Sequence, residues 1–238
     1  MRSLFRRGLR VLMYHQVSQH SASEHTVTAA QLEGQLRWLR EQEFQFVTVA
    51  DVLRGVLPER PVLVTFDDAY VDTMEMAAPV LRALEVPAVV FVPTAFVGQT
   101  SAWDSAARPL MDESQLCTLA GRGFELGLHS HRHESYARLT APQIVDDLHA
   151  SLAAFRRMGL TPAAALAYPY GARPRGWTAL WAMKNALWEN GVRLAFRVGN
   201  RINRLPLLDP LEVERLSVRG DESFACFQRK IRWGRLLG

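Results

Sequence analysis

Pro61-Val62-Leu63-Val64-Thr65-Phe66-Asp67-Asp68 is an apolar run that stops abruptly at two adjacent carboxylates. It is too short for a buried helix. Its valines and opening proline fit a buried strand, with both acids where that strand leaves the core. One aspartate there would be an ordinary turn former or N-cap of the helical stretch that follows to about Leu84. Two need more, because neighbouring carboxylates raise each other's pKa unless a cation or a donor lies between them.

Working outward, the chain alternates strand with helix. Leu9 to Tyr14 is a second short apolar run and ends in His15. Residues 28–42 place Leu32, Leu36 and Leu39 at helical spacing, with Gly34 as the one weak position. Phe46 to Val49 reads as a strand, Ala50 to Leu57 as a short helix, Ala88 to Val92 as a strand, and residues 93–112 as a long loop carrying Trp103-Asp104. A helix from Glu113 and a strand from Phe124 lead to His129. Then come a helix over 141–158, a small-residue strand from Ala163 to Ala167 ending in Tyr168-Pro169-Tyr170-Gly171, a helix over 177–190, and strands at 193–196 and 211–218. Asp221 is placed to cap a final helix with Phe224, Phe227 and Ile231 inward. This pattern gives one α/β domain over 1–238 with a parallel sheet, and six or more such units favour closure into a barrel over an open sheet. His15, Asp67-Asp68, His129 and Tyr168-Pro169-Tyr170 all follow strands. In a parallel barrel they share the face that carries active sites.

Composition narrows the class. With 238 residues, 48% of them hydrophobic, the chain can bury a large core, and it has no run near the roughly 18 apolar residues of a membrane span. Tyr14-His15-Gln16 interrupts any signal-like apolar segment, so the expected location is cytoplasmic. Cys117 and Cys226 form neither a disulfide framework nor a zinc motif. The net charge of +4 comes mostly from arginine, concentrated in the first ten residues and in Gln228 to Arg235. These ends read as solvated faces, with weak contact to an anionic membrane surface as their alternative use. No nucleic-acid-binding module is present, so no such partner is expected.

His129-Ser130-His131-Arg132-His133 sets three imidazoles at a strand end, on the face that also carries a carboxylate. Two histidines and one aspartate leave coordination positions open, the pattern of a catalytic metal site. Spacing alone leaves the pair of histidines open: i, i+4 ligands suit a helical turn and i, i+2 an extended chain. The same ligand set also suits non-haem iron oxygenases, although the second carboxylate, Asp67, has no use in such a site.

Thr65-Phe66-Asp67-Asp68, His129-Ser130-His131-Arg132-His133 and Tyr168-Pro169-Tyr170-Gly171, in this order, resemble the NodB-homology polysaccharide deacetylases of carbohydrate esterase family four. The likeness runs from Val11 to about Val218 and takes in Phe91-Val92-Pro93-Thr94. It implies a distorted (β/α) barrel and a divalent metal, zinc by default with cobalt or nickel as substitutes, held by Asp68, His129 and His133. It also implies Asp67 as general base and the main-chain N–H of Tyr170 as part of an oxyanion hole. His131 falls on a variable position. Tyr168, Pro169 and Trp103 are the expected substrate-binding residues, and an N-acetylated glycan of bacterial surface or exopolysaccharide assembly is the expected substrate.

Three departures stand out. The Leu-x-His of the common pattern is absent from Leu211-Glu212-Val213-Glu214-Arg215-Leu216, and the only histidine after residue 133 is His149, in mid-helix. His15 is the expected substitute acid, as in members with this motif moved to the N-terminus by circular permutation. Ala167 stands where the pattern has an arginine that holds the catalytic aspartate, and no aspartate that would orient the acid is evident. These gaps motivate an alternative, a catalytically impaired glycan-binding homologue of the same fold.

Overall fold

The computed structural model describes residues 7–234. The basic segment Met1–Arg6 and the last four residues lie outside them. In chain order the strands are β1 (Arg10–Tyr14), β2 (Gln16–Ser18), β3 (Thr26–Thr28), β4 (Gln45–Phe46), β5 (Pro61–Phe66), β6 (Ala88–Val92), β7 (Glu125–Leu128), β8 (Ala165–Ala167), β9 (Leu194–Val198) and β10 (Val213–Ser217). The helices are α1 (Ala29–Glu41), α2 (Val49–Arg54), α3 (Ala78–Ala83), α4 (Glu113–Gly121), α5 (Ala141–Arg157), α6 (Trp177–Glu189) and α7 (Phe224–Trp233).

The strands β1-β10-β9-β8-β7-β6-β5 pair in that order, all in parallel, and β5 pairs back onto β1 from Arg10↔Val62 to Tyr14↔Phe66. The sheet is therefore a closed barrel, with two-residue β4 beside the start of β5. Closure explains why the Pro61–Phe66 run is buried at every position and apolar at all but Thr65, whose hydroxyl donates to the Leu12 carbonyl: alternate side chains face the barrel interior and the surrounding helices. Val11, Leu63, Val89, Phe91, Ala165, Leu194, Phe196 and Val213 form the inner core. Leu12, Val62, Val64, Phe66, Val90, Leu126 and Leu216 form the outer one with Leu36, Leu39, Leu81, Leu148 and Phe155 of the helices.

Inside the barrel, large and small residues complement one another. Phe91 and Phe196 pack at 5.5 Å between centroids, and β8 beside Phe196 carries only the small Ala165 and Ala167, the latter paired with Phe196. A Cβ on Gly127 would lie 2.5 Å from the Phe91 ring and 3.2 Å from the Ala165 carbonyl. Only glycine fits there, which lets a phenylalanine fill the space beneath the end of β7.

The helix starts follow local chemistry. Thr28, Thr48, Asp112 and Thr140 each form a capping box with the residue three positions on. Gly34 sits on the solvent side of α1 with nothing within 4 Å of its would-be Cβ, so it costs propensity but no packing. Two local expectations are corrected. Phe46–Val49 is not a strand beyond Phe46, because the Thr48 side chain caps α2 and helix begins at Val49. The last helix is capped by Ser223, whose hydroxyl accepts from the Cys226 N–H; starting there turns Phe224 outward, 45% exposed, while Phe227 and Ile231 are buried.

Candidate active site

At the C-terminal end of the barrel, the side chains that follow β1, β5, β7 and β8 meet those of β10 around a cavity of about 770 Å³. Continuing the alternation of Leu63 and Thr65 sends Asp67 inward. A positive φ of 73° at Asp68 then turns the chain so that the second carboxylate reaches the same space. Ser130, His133 and Tyr170 also hold positive φ (62°, 54° and 60°). Such conformations cost of order 1–3 kcal/mol each in non-glycine residues and gather where a site is over-determined by its surroundings.

Asp68 Oδ1 lies 3.2 Å from His129 Nε2 and 3.1 Å from His133 Nε2, with all three residues buried. The other ring nitrogen of His129, Nδ1, is 2.8 Å from the Ala167 carbonyl. A carbonyl only accepts, so Nδ1 carries the hydrogen and Nε2 turns a lone pair toward the carboxylate. Asp68 Oδ1 has no hydrogen-bond donor among the described residues. Three electron-rich atoms converging in a buried space require a positive charge between them, and the donor set of two imidazoles and a carboxylate fits a divalent metal ion. Without such an ion the imidazoles take up part of that role. Burial opposes the charge of Asp68, yet the two histidines hold its carboxyl well below the usual range. Burial likewise opposes the charge of His129, but Asp67 and Asp68 together raise its pKa.

His131, the middle histidine, is not part of this cluster; its Nδ1 is 2.9 Å from Thr94 Oγ1. The excursion from His129 to His133 is held by Asp147 on α5, which accepts from the Ser130 hydroxyl, the His131 N–H and the Tyr136 hydroxyl, each at 2.8 Å. Asp147 went unread in the sequence. A signal was present, since it falls on the buried stripe of Ile144, Leu148 and Ser151, where a carboxylate needs partners.

Asp67 does not lack an arginine. Arg215 on β10 grips it with two bonds, Nη1 to Oδ1 at 2.6 Å and Nη2 to Oδ2 at 2.7 Å. The guanidinium is fully buried and stands 5.8 Å above the Phe91 centroid. Ala167 is thus no gap: its carbonyl fixes His129, and the cation comes from two strands away around the ring. Burial would raise the pKa of Asp67, but Arg215 first, then His129 and His15, hold it below the ordinary value. The signal for Arg215 was an arginine on the inward face of a strand, in step with Val213 and Ser217.

His15 follows β1 and lines the cavity, with Nε2 3.9 Å from Asp67 Oδ2. Burial lowers its pKa, and the charges of Asp67 and Asp68 only partly offset this. Among the described residues no carboxylate comes within hydrogen-bond distance of it, Asp67 at 3.9 Å being the ion-pair contact; the ring beside it is that of His25, at 5.2 Å between centroids. Trp103 stacks on His133 at 3.8 Å and is steadied from behind. Its Nε1 donates to the Tyr70 hydroxyl, which donates to Asp104 Oδ2, and Ser101 and Gln16 donate to the same oxygen. Tyr170 is 63% exposed at the cavity, its ring 4.9 Å from that of His133.

Tyr168 and Pro169 are corrections to the expected substrate contacts. Tyr168 is fully buried with its hydroxyl on the Leu211 carbonyl, and Pro169 is buried beneath the turn that presents Tyr170. Both are structural supports, because the alternation that aims Ala167 inward sends Tyr168 into the outer core.

Comparison with known proteins gives this geometry a family. The polysaccharide deacetylase family model matches residues 54–187. The chain belongs to the polysaccharide deacetylase family. Poly-beta-1,6-N-acetyl-D-glucosamine N-deacetylase of Staphylococcus aureus is 24% identical over 172 residues, which are 67% of this chain and 58% of that protein. The chain therefore spans less than two thirds of the length of that curated relative. IcaB of Ammonifex degensii superposes with a TM-score of 0.77 at 25% identity, covering 91% of this chain and 94% of that one. A de-N-acetylase of Aggregatibacter actinomycetemcomitans shares the fold, with a TM-score of 0.77 at 20% identity over 94% of this chain and all of that one. In the deacetylase family, then, this chain has the (β/α) barrel expected from its motifs.

Proposed function

We propose that the chain is a metal-dependent N-deacetylase of a poly-N-acetylglucosamine type glycan, and the observation that carries this is the pairing of Asp67–Arg215 with the Asp68/His129/His133 cluster in one cavity. Asp68, His129 and His133 hold the divalent ion, zinc by preference. When bound, the ion polarises the acetamide carbonyl and makes the attacking water more acidic. Asp67, kept ionised by Arg215, takes a proton from that water as its oxygen adds to the carbonyl carbon. The main-chain N–H of Tyr170 meets the charge that develops on the carbonyl oxygen. His15 hands a proton to the sugar nitrogen as the C–N bond breaks, leaving acetate and a free amine. Trp103 and the Tyr170 ring flank the place where a pyranose would lie.

The reading of an impaired glycan-binding homologue rests on the missing arginine and the missing late histidine; Arg215 supplies the first, and His15, which lines the cavity 3.9 Å from Asp67, is the candidate for the second. Acetate release from β-1,6-linked N-acetylglucosamine oligomers tests the proposal. Release is expected to stop on chelation, return with zinc, cobalt or nickel, and be absent in Asp67→Asn. No release from any acetylated glycan with metal present would overturn it.

A further inference from the structure

On the wall of the catalytic cavity beside Trp103, Asp104 presents a carboxylate that no step of the proposed reaction uses. Three donors converge on one of its oxygens, Oδ2: the Ser101 hydroxyl at 2.6 Å, the Tyr70 hydroxyl at 2.7 Å and the Gln16 side-chain amide at 3.4 Å. Each donor is itself oriented by a second bond. The Ser101 oxygen accepts from the Arg108 N–H, the Tyr70 oxygen accepts from Trp103 Nε1, and the Gln16 side-chain oxygen accepts from the Thr26 hydroxyl. β2, the turn after β5 and the loop before α4 therefore agree on one orientation of the carboxylate.

That network accounts for Oδ2 alone. Oδ1 takes no hydrogen bond among the described residues, and no lysine, arginine or histidine among them forms an ion pair with Asp104. Anchoring the loop needs one acceptor. A second oxygen, held still at the wall of a cavity, is an acceptor for a donor that the ligand brings, and its orientation is fixed before binding. The neighbouring indole completes the match. A pyranose offers an apolar face of C–H groups and a rim of hydroxyls, which fit an aromatic side chain with a polar group set beside it.

We infer that Asp104 is a specificity-determining residue for the glycan, with Oδ1 accepting a hydrogen bond from a free ring hydroxyl of the sugar that lies beside Trp103. The inference rests on the glycan reading above and deepens it. A β-1,6 linkage leaves O3 and O4 of each residue free, so oligomers lacking one or the other are the probes. Wild type should lose about tenfold in kcat/KM on one of the two, the size of one hydrogen bond to a carboxylate. Asp104→Asn keeps an oxygen for Ser101 and Tyr70 but puts an amide donor in place of Oδ1. It should raise KM for the complete oligomer about tenfold with kcat within about twofold, and lose nothing further on the deoxygenated one. Zinc affinity and melting temperature should match wild type, since Trp103 stays stacked on His133. Calorimetric binding in the Asp67→Asn background gives the same comparison without turnover. Three outcomes would overturn the inference: a wild type indifferent to loss of either hydroxyl, a deoxygenation penalty that persists undiminished in Asp104→Asn, or a KM that rises only together with lost zinc affinity and a lower melting temperature, which would make Asp104 a loop anchor. Absence of acetate release alongside Asp104-dependent binding would overturn the deacetylase reading and leave this one standing, and absence of oligomer binding would overturn both.

Discussion

Arg215 on the last barrel strand and Asp67 at the end of β5 are joined by two bonds of 2.6 and 2.7 Å across 148 residues of sequence. The pair is buried and bidentate, a geometry that fixes the carboxylate's orientation as well as its charge. Arg215→Ala should lower kcat by about 100-fold with little change in KM, and Arg215→Lys should restore only part, since an ammonium cannot bond both oxygens. The alanine variant also strands a buried charge, at about 3–5 kcal/mol of stability. Asp67→Asn in the same chain should recover much of that stability and none of the activity. Kinetics and denaturation of the two single variants and the double variant decide this; an Arg215→Ala enzyme with normal kcat would refute the role.

His15 is expected to titrate below the ordinary 6.5 in the chelated protein, because burial outweighs the nearby carboxylates. A depressed histidine favours folding above its unfolded pKa, and that contribution is lost as pH falls through the folded value. NMR titration of the ring, assigned with His15→Gln, measures the midpoint, and one above 6.5 contradicts the expectation. As the proton donor, His15→Ala should also cut kcat by about 100-fold while leaving zinc affinity unchanged.

Asp147 touches neither substrate nor metal, yet three of its bonds hold the chain between His129 and His133. Asp147→Asn keeps the size but replaces acceptor capacity with a donor. Zinc affinity measured by calorimetry should fall by about tenfold. If affinity and the acetate-release rate both match wild type, the loop is held by other means.

Asp72, after the catalytic turn, is mostly buried; burial pushes its pKa up to about 7, and the Val17 N–H and Arg108 offset this only in part. Its Oδ1 has no donor among the described residues. A raised carboxyl supports the fold fully below its unfolded pKa of about 3.9 and withdraws that support as pH rises through the folded value. Asp72→Asn should therefore be more stable than wild type at pH 8, by up to about 4 kcal/mol, and nearly equal to it at pH 4. Equal stability at both pH values would count against the raised pKa.

Much of the molecule was legible from sequence because its elements obey period rules. Strands β6 and β8 are apolar throughout, four helices open with capping boxes, and the pairs Asp67-Asp68 and His129/His133 stand at strand ends, where a parallel barrel gathers them. What escaped detection depends on which way side chains face across the barrel. Tyr168 adjoins the inward-facing Ala167 but points to the outer core, a one-residue difference that moves a side chain to the other face of the sheet. Arg215 lies in the stretch where the common pattern has its late histidine, and nothing local in the sequence pairs it with Asp67, 148 residues away. A function conserved in space need not keep its place along the chain, since the interior of a ring is reached equally from any of its strands.

Ring closure also has a consequence for how the protein is made. β1 lies between β5 and β10, so one edge of the first barrel strand has no partner until the last one leaves the ribosome. Until then an apolar strand has open backbone donors and acceptors, a template for pairing with other chains. A nascent chain released before residue 217 would possess Asp67 and the Asp68/His129/His133 cluster and still have an open seam. Folding of the nascent chain is therefore most exposed to aggregation in the interval between β5 and β10.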